Sequence, residues 1–428
     1  MQTVIARTLQ HQFRCLYNNT RRCLALSVSE NTAQNVYKNE DECLSIKWND
    51  GSIDKYPYIY LRENCRCPVC YKDERKSRTM FSPKVVDLDI TAEYANWNAE
   101  QNLLEVKWED GHTSNYSSDW LKYLRYRPLV EEQSPSLIKK GIQLWGEEMS
   151  EKSNLPVFQF DELMADDEVL YKWMVAIATQ TGIAKIENAP KEAGHIRKMG
   201  ERVGYLVQST FGVVSQVKAF SGDATHETGY TYSELPLHAD FSFQNTAPGV
   251  AILHCVTQTK GEGGASLLVD AFHAANLLYE EDPEAFEILV DTPLVFKNFT
   301  KTPAGKIYAV SRRPILSVDF EKKLNQVCYG DEFRDNHMPR EPERMKSFYK
   351  AYFRFSELLD DKRTSFWYKM KSGDIITVNN HRVLHGRSAY QPDGEHARIL
   401  ETAFFDWDCF HSKIRILSEK IGVKSPVD

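Results

Sequence analysis

The sequence predicts a mainly β protein, in which a small N-terminal β domain precedes a large β-sandwich or jelly-roll domain with flanking helices. The chain has 428 residues, which is too many for one small hydrophobic core. An internal repeat lies near the N-terminus, and the C-terminal half alternates short strand-like segments with turns. Many short strands with few helices are typical of β-sandwiches and jelly rolls.

Two segments of the N-terminal region repeat each other at an offset of 60 residues. Residues 46–61 read IKWNDGSIDKYPYIYL, and residues 106–121 read VKWEDGHTSNYSSDWL. In each copy an alternating strand meets an Asp-Gly pair, which is a strong signal for a β-hairpin. Two similar hairpins predict a small β domain, which we place at residues 36–128.

The remainder of the chain contains a polar segment and a long β-rich segment. Residues 129–155 are polar and contain prolines, and we interpret them as a linker with a short helix near 135–148. Residues 156–428 form the predicted jelly-roll domain. Its pattern predicts helices at 165–181, from Pro283 and near 341–359, and strands at 249–256, 265–271, 374–380 and 397–405.

Composition and charge argue against several classes of partner. The net charge of -7 provides no basic surface, so we expect no nucleic-acid partner. No segment approaches the roughly 18 consecutive apolar residues that a membrane helix needs, so we expect no membrane span. The nine cysteines are odd in number and mostly scattered, which does not indicate a disulfide framework.

The N-terminal segment resembles a targeting sequence. The first 29 residues contain no acidic residue and carry four arginines among apolar residues, with serines and threonines between them. This pattern is typical of a mitochondrial transit peptide, and the alternative is a disordered tail. We therefore assign residues 1–35 to a transit peptide or disordered segment, and expect a mitochondrial protein, with a cytoplasmic one as the alternative.

Three residues form a candidate metal site, His238, Asp240 and His385. His238 and Asp240 are two residues apart on a segment that reads as extended, so both side chains can point to one face. The pair alone is a weak signal, because so short a pattern often arises by chance. With His385, which follows the buried-looking strand 374–380, it makes a facial triad, and such a triad leaves iron positions open for O2 and a 2-oxo acid.

An arginine beyond His385 strengthens this hypothesis. Arg398 follows His385 by 13 residues, at the start of the next predicted strand. A buried arginine can hold the distal carboxylate of 2-oxoglutarate through two parallel hydrogen bonds, which lysine cannot imitate. The alternative is an ordinary arginine at the edge of a strand.

Three cysteines and a histidine form a second candidate metal site. Cys65, Cys67 and Cys70 lie within six residues, and His112 stands where the second copy of the repeat departs from the first. A Cys3His set is a closed, tetrahedral pattern typical of structural zinc. The alternatives are reduced structural cysteines or a disulfide. Zinc here would support folding of the small domain rather than catalysis.

Five short motifs occur in an order that resembles the gamma-butyrobetaine dioxygenase and trimethyllysine dioxygenase family. They are ENCRCPVC (63–70), LHADF (237–241), GEGGASLLVD (261–270), NNHRVLHGR (379–387) and ARILETAFFDWD (397–408). The resemblance implies a double-stranded β-helix (jelly-roll) catalytic domain, an N-terminal zinc module and a homodimer.

The resemblance also implies the cofactors and their ligands. Iron(II) would be held by His238, Asp240 and His385, with 2-oxoglutarate and O2 as co-substrates. Arg398 would bind the distal carboxylate of 2-oxoglutarate, and Ser266 matches a hydroxyl that helps to hold it, although an ordinary strand serine is the alternative. We expect ascorbate to serve as reductant.

The predicted substrate is a quaternary amine, because both family enzymes hydroxylate a trimethylammonium compound. Such cations are bound by an aromatic cage. The matching positions are Phe211, Ser215, Tyr230 and Phe404, where the family has tyrosine at the two phenylalanines and tryptophan at Ser215. Glu227 matches an acid of the trimethyllysine enzyme, or it is a surface loop residue.

The sequence thus predicts hydroxylation of gamma-butyrobetaine to carnitine. The alternatives are trimethyllysine or another small substrate, which need not be quaternary. An alternative of a different class is a non-catalytic metal-binding jelly roll. The intact set of triad and arginine argues against it.

Overall fold

The computed structural model divides the chain into two compact units, an N-terminal unit, Met1–Glu132, and a C-terminal unit, Gln133–Asp428. The structure describes residues 32–39, 42–75, 77–79, 85–126, 136–151, 154–218, 228–302, 305–391 and 398–428. Most of the predicted transit peptide therefore lies outside the described residues.

The N-terminal unit contains two three-stranded antiparallel sheets, with strand orders β1-β2-β3 and β6-β7-β8. A third pair, β4 with β5, lies between them in sequence. The strands are β1 (Ala33–Lys38), β2 (Cys43–Trp48), β3 (Ile53–Pro57), β4 (Tyr71–Lys72), β5 (Ser77–Arg78), β6 (Ala92–Asn98), β7 (Leu103–Trp108) and β8 (Thr113–Ser117); the helices are α1 (Tyr58–Glu63) and α2 (Ser118–Leu124).

The two repeat copies pack against each other with reciprocal hydrogen bonds. The Tyr56 hydroxyl donates to the Leu121 carbonyl over 2.7 Å, and the Tyr116 hydroxyl donates to the Leu61 carbonyl over 2.6 Å. Tyr56 and Tyr116 occupy equivalent positions of the repeat, as do Leu61 and Leu121. All four side chains are buried in one apolar cluster, so each copy completes the core of the other.

The predicted hairpins are confirmed. Strands β2 and β3 are antiparallel neighbours, as are β7 and β8. The turns contain Gly51 and Gly111, with φ of 84° and 83°, a left-handed conformation that favours glycine. The amide of each glycine donates to the carbonyl of the tryptophan three residues earlier, over 3.0 Å in both copies.

The C-terminal unit contains a six-stranded sheet of order β11-β22-β13-β20-β10-β9 and a four-stranded sheet of order β12-β21-β14-β19. Strand pairs are antiparallel except β9 with β10. The strands are β9 (Val157–Gln159), β10 (Ile183–Glu187), β11 (Ser215–Lys218), β12 (Leu235–His238), β13 (Val250–Thr257), β14 (Ser266–Asp270), β15 (Leu294–Thr302), β16 (Gly305–Arg313), β17 (Leu316–Val318), β18 (Leu324–Val327), β19 (Ser365–Tyr368), β20 (Ile375–Asn379), β21 (Val383–Arg387) and β22 (Ile399–Phe405).

Helices cover the sheets, and two further hairpins are formed by β15 with β16 and β17 with β18. The helices are α3 (Phe160–Ala165), α4 (Asp167–Thr179), α5 (His195–Val203), α6 (Ala271–Glu281), α7 (Pro283–Asp291), α8 (Pro342–Leu359) and α9 (Trp407–Ile421). Among the described residues, no helix is both long and apolar enough to cross a membrane.

The six-stranded sheet separates two apolar clusters. Ile376 of β20 belongs to the cluster that contains Leu268 of the four-stranded sheet, whereas Ile375 belongs to the cluster that contains Trp173 of α4 and Phe410 of α9. Adjacent strand residues point to opposite faces, so one face meets the second sheet and the other meets helices. The predicted mainly β, jelly-roll fold class is confirmed.

Two sequence interpretations were incomplete or wrong. The four predicted strands and the predicted helices near 167, 283 and 342 are present, but helices α3, α5, α6 and α9 were missed. The interpretation of 129–155 as a linker with a helix near 135–148 is wrong for its described part. Trp145 is 2% exposed and lies in the core, and the only helical turn described there is Glu147–Ser150.

Candidate active site and second metal centre

The predicted triad comes together in the structure. His238 of β12 and His385 of β21 are direct cross-strand partners, and Asp240 follows two residues after His238. The Asp240 carboxylate lies 3.6 Å from His238 Nε2 and 3.7 Å from His385 Nε2. The three candidate ligand atoms all lie within 4.8 Å of one another, so one ion can contact all three.

Asp240 reaches the histidines by a turn rather than by strand alternation alone. Strand β12 ends at His238, and the chain turns at Phe241, which has a left-handed φ of 58°. The buried Asn380 amide holds this turn, because its Oδ1 accepts from the Asp240 backbone N–H over 2.8 Å and its Nδ2 donates to the Asp240 carbonyl over 3.0 Å. His238 Nδ1 lies 2.9 Å from the Pro236 carbonyl, which directs Nε2 toward Asp240.

Two of the three triad residues are held in the protonation state that binds a divalent cation. Burial lowers the pKa of His385 to about 4. Burial opposes ionisation of Asp240, but the two histidines outweigh it and lower the pKa of the carboxyl. Burial also opposes protonation of His238, but the hydrogen bond and charge of Asp240 raise its pKa. A neutral His385 and an ionised Asp240 are the forms that bind metal.

Two buried arginines lie beside the triad. Arg398 is 5% exposed, its Nε has no hydrogen-bond partner, and the described residues supply no salt bridge to it. Burial lowers its pKa. Arg387 is bound to backbone carbonyls, including that of Thr231 over 2.9 Å, and burial, with the charge of Arg398, lowers its pKa to about 10. Among the described residues no carboxylate forms a salt bridge with either arginine, and two neighbouring buried cations in that state favour an anionic ligand.

The triad and the arginines line one cavity, which encloses about 1050 Å³ between its lining atoms, with solvent at the mouth included. Ser266 lines it too, and it is the cross-strand partner of Arg387. The structure thus brings together every predicted iron and 2-oxoglutarate residue. The lining residues are Phe211, Ser215, Val217, Gly229, Tyr230, Leu235, His238, Asp240, Phe241, Phe243, Leu253, Ser266, Asn298, Glu332, Phe333, His385, Gly386, Arg387, Arg398, Leu400, Thr402 and Phe404.

Aromatic rings form a continuous wall along one part of the same cavity. We call this part the substrate compartment and define it by its rings, Phe211, Phe241, Phe243, Phe333 and Phe404. The Phe241 ring centroid lies 5.0 Å from that of Phe404, 6.2 Å from that of Phe211 and 5.7 Å from that of Phe243. The Phe333 ring lies 5.0 Å from that of Phe243.

Polar groups interrupt the wall at two strands. Ser215 of β11 lies opposite Thr402 of β22, and the Thr402 hydroxyl is buried without a hydrogen-bond partner among the described residues. Tyr230 completes the wall beside Phe211, at a centroid distance of 6.3 Å. Glu227 lies outside the described residues.

The N-terminal unit holds the second candidate centre. His112 Nε2 lies 3.2 Å from Cys65 Sγ, 3.6 Å from Cys67 Sγ and 3.7 Å from Cys70 Sγ. Similar distances from one atom to three others fit a tetrahedral set. The Asp110 carboxylate accepts from the His112 backbone N–H over 2.9 Å, which fixes the turn that carries the histidine.

Two of the three cysteines favour the neutral thiol form, which a bound cation would convert to thiolate. Burial raises the pKa of Cys65, and it raises the pKa of Cys70 to about 12. Burial also lowers the pKa of His112, so the imidazole is neutral. A divalent cation stabilises thiolates, because a coordinating thiol is deprotonated outright. The donor set therefore fits zinc.

Family models match both units. Residues 140–403 match the taurine catabolism dioxygenase TauD, TfdA family, and residues 36–122 match the gamma-butyrobetaine hydroxylase-like N-terminal family. The first match covers more than half of the chain. The chain belongs to this dioxygenase family. The predicted family resemblance is confirmed.

Individual relatives show which enzymes of the family the chain is similar to. The chain is 31% identical over 385 residues to gamma-butyrobetaine dioxygenase from Pongo abelii, and equally to that from Homo sapiens, over 88% of this chain and 95% of the relative. It is 27% identical over 344 residues to mitochondrial trimethyllysine dioxygenase from Bos taurus, over 79% of this chain and 78% of the relative.

Solved structures show a weaker likeness. A non-heme iron oxygenase, OrfP, with Fe, succinate and hydroxyarginine, has a TM-score of 0.41 at 13% identity, over 56% of this chain and 80% of that chain. An asparagine oxygenase has a TM-score of 0.44 at 12% identity, over 58% and 93%. At these identities and TM-scores, the solved structures are too distant to guide the description of the site.

Several site residues of this family member were missed from sequence. Asn380 and Arg387 lie within a motif that the sequence already singled out, NNHRVLHGR, so their motif was a signal although their contacts were not. Asn298, Glu332 and Thr402 enter the cavity through tertiary packing. Thr402 alone was within reach, because it shares the strand parity of Arg398 and Phe404.

Proposed function

We propose that this protein is an iron(II)- and 2-oxoglutarate-dependent dioxygenase that hydroxylates gamma-butyrobetaine to carnitine. One observation carries the proposal: a His-Asp-His set lines the same cavity as the buried Arg398, whose Nε has no hydrogen-bond partner among the described residues. The curated relatives named gamma-butyrobetaine dioxygenase, matched over nearly their whole length, support the choice of substrate.

The protein's part in the reaction is to hold and orient. His238, Asp240 and His385 would occupy one face of the iron and leave the other face open. The bound iron supplies oxygen activation and removal of a hydrogen atom from an unactivated carbon. The Arg398 guanidinium would bind the distal carboxylate of 2-oxoglutarate, with the Ser266 hydroxyl as a further donor.

The substrate compartment would place the quaternary amine beside the triad and exclude water. Phe211, Tyr230 and Phe404 present rings to a trimethylammonium group, which cation–π attraction favours. Ser215 stands at the position of the family's tryptophan, with Thr402 opposite it on β22, so the cage of this chain would be less aromatic and wider.

Substrate-stimulated succinate release tests the proposal. The purified protein, with iron(II), 2-oxoglutarate and ascorbate as reductant, is given gamma-butyrobetaine, trimethyllysine and unrelated amines in turn. We expect the largest stimulation by gamma-butyrobetaine, with carnitine as product. Stimulation by trimethyllysine alone would identify the other relative as the better guide, and no stimulation by any quaternary amine would contradict the substrate class.

We also propose that Cys65, Cys67, Cys70 and His112 bind structural zinc. The distances from His112 Nε2 to the three sulfurs support it. Metal analysis of the pure protein should give one zinc per chain, and Cys67→Ser should lose it and lower the melting temperature. Cys43→Ser is the matched control, because this cysteine lies outside the cluster. Full zinc content in Cys67→Ser would contradict the assignment.

Two proposals concern the whole protein's setting. The arginine-bearing N-terminal segment, whose first 29 residues contain no acid, supports delivery to mitochondria, and fusion of residues 1–35 to a fluorescent protein tests it. Diffuse cytoplasmic fluorescence would contradict it. The family resemblance supports a homodimer, and light scattering of the purified protein should give twice the chain mass.

A further inference from the structure

We infer that Tyr390 is a positioning residue for 2-oxoglutarate, because its ring holds the Arg398 guanidinium at the cavity wall before the co-substrate binds. The inference rests on the proposed function, since it concerns the co-substrate of the same site. It assigns a role to a side chain that is not itself among the lining residues of the cavity.

One buried ring lies beside both arginines of the cavity. Tyr390 is 6% exposed, and its ring centroid lies 4.8 Å from the guanidinium carbon of Arg387 and 5.9 Å from that of Arg398. Both distances fall within the roughly 6 Å over which the face of a ring attracts a cation. Two buried like charges repel each other, so an electron-rich ring shared by both offsets part of the cost of placing them together.

The two arginines differ in what else holds them. Arg387 donates to the backbone carbonyls of Thr231 and Ser233, which fixes its guanidinium independently of the ring. The Nε of Arg398 has no hydrogen-bond partner among the described residues. A long side chain that is fixed only when its ligand arrives loses conformational freedom at that step, which weakens binding. Contact with the Tyr390 ring restricts the Arg398 guanidinium beforehand.

The ring is itself held by the glycine-rich motif GEGGAS. The Tyr390 N–H donates to the Tyr232 carbonyl over 3.1 Å, and the two rings meet edge to face at a centroid distance of 5.3 Å. Tyr390 also forms a β-bridge with Gly263 of the motif. Gly263 has a φ of 82°, and a β-carbon there would lie 2.0 Å from the Ala389 carbonyl oxygen, so this close approach requires glycine.

Two 2-oxo acids isolate recognition of the distal carboxylate. They are 2-oxoglutarate and 2-oxovalerate, which has the same chain length but ends in a methyl group. Each should give a charge-transfer band with iron(II), and anaerobic titration of the full chain gives both dissociation constants. The ratio of the two constants measures the contribution of the distal carboxylate alone. Absence of the band in the wild type would contradict the proposed function, whereas the inference is decided by the ratio.

Variants that keep the shape of the ring separate its charge distribution from its packing. Tyr390→Phe should leave the ratio unchanged, because the structure describes no hydrogen bond of the Tyr390 hydroxyl. A ring-fluorinated phenylalanine at the same position loses the negative face, so it should weaken 2-oxoglutarate binding roughly 2- to 30-fold and leave 2-oxovalerate binding unchanged.

The matched control is the same pair of replacements at Tyr71, whose ring centroid lies 3.6 Å from the Arg66 guanidinium carbon in the N-terminal unit. Neither replacement there should change the ratio. The inference is overturned if fluorination at Tyr390 leaves 2-oxoglutarate binding as tight as in Tyr390→Phe. It is also overturned if the two acids are weakened equally, because the ring would then act through packing alone.

Discussion

At the residue scale, the candidate metal site depends on side chains that do not themselves face the metal. Asn380 is 1% exposed and holds the Asp240 backbone from both its N–H and its carbonyl. Because Asp240 lies beyond the end of β12, nothing in the strand ladder fixes it. The Asn380 amide takes over that task, and it also donates to the Pro248 carbonyl over 3.0 Å.

Asn380→Ala should therefore lower the affinity for iron(II) by about 10- to 100-fold, as the loss of groups that orient metal ligands generally does. Anaerobic titration with iron(II) measures the change, and Asn336→Ala, an exposed asparagine outside the cavity, is the matched control. An unchanged iron(II) affinity in Asn380→Ala would show that the turn at Asp240 keeps its conformation without the Asn380 side chain.

A separate prediction concerns the binding of 2-oxoglutarate by Arg398. Arg398→Lys keeps the charge but loses the planar pair of donors, so the KM for 2-oxoglutarate should rise roughly 10- to 150-fold, from the loss of about 1.5–3 kcal/mol. Initial rates of succinate release at varied 2-oxoglutarate give the KM, and iron(II) affinity in the same variant should not change. A wild-type KM in Arg398→Lys would place the distal carboxylate elsewhere.

At the element scale, one buried ion pair joins segments that are distant in sequence. Asp270 caps α6 through the N–H of Phe272, and it accepts from the Trp145 N–H over 3.1 Å. It also binds Arg382, at the start of the segment leading into β21, over 2.6 Å. Both members of the ion pair are buried. Because Asp270 also accepts from the Trp145 N–H, it joins the segment that was wrongly predicted as a linker to the sheet that carries His385.

Asp270→Asn should lower the free energy of unfolding by about 3–5 kcal/mol, because the Arg382 charge is left buried without a counterion. Denaturant unfolding measures this loss. Arg415→Gln, which breaks an exposed ion pair of equal length with Asp428, should change stability little. Equal losses in the two variants would mean that the burial of the Asp270 pair has no energetic consequence.

The same scale shows what sequence could and could not predict. The Asp-Gly hairpins and strands β20 and β22 were predictable, because strand patterning and turn residues are local signals. Strand β21, which carries His385 between them, was not predicted. Helix α9 and the role of Trp145 were not predicted either. Trp145 lies in a segment that is polar overall, and its burial is seen in its tertiary hydrogen bonds to Asp270 and Thr181.

At the scale of the whole molecule, the two units differ in how they are built and in the donor set that each one holds. The N-terminal unit builds one core from two copies of a repeat, with a Cys3His set formed by three cysteines that follow the first copy and His112 in the hairpin of the second. The C-terminal unit places a His-Asp-His set and two arginines in one cavity. Spacing and family motifs predicted both donor sets, whereas Glu332 and Asn380 depend on packing that no local pattern encodes.

The central claim is that His238, Asp240, His385 and Arg398 form one iron(II) and 2-oxoglutarate centre. Anaerobic visible absorption tests it most directly, because a 2-oxo acid that chelates iron(II) gives a charge-transfer band. The wild-type protein should show the band only with both iron(II) and 2-oxoglutarate, and Asp240→Ala should abolish it. No band in the wild type, or an undiminished band in Asp240→Ala, would contradict the claim.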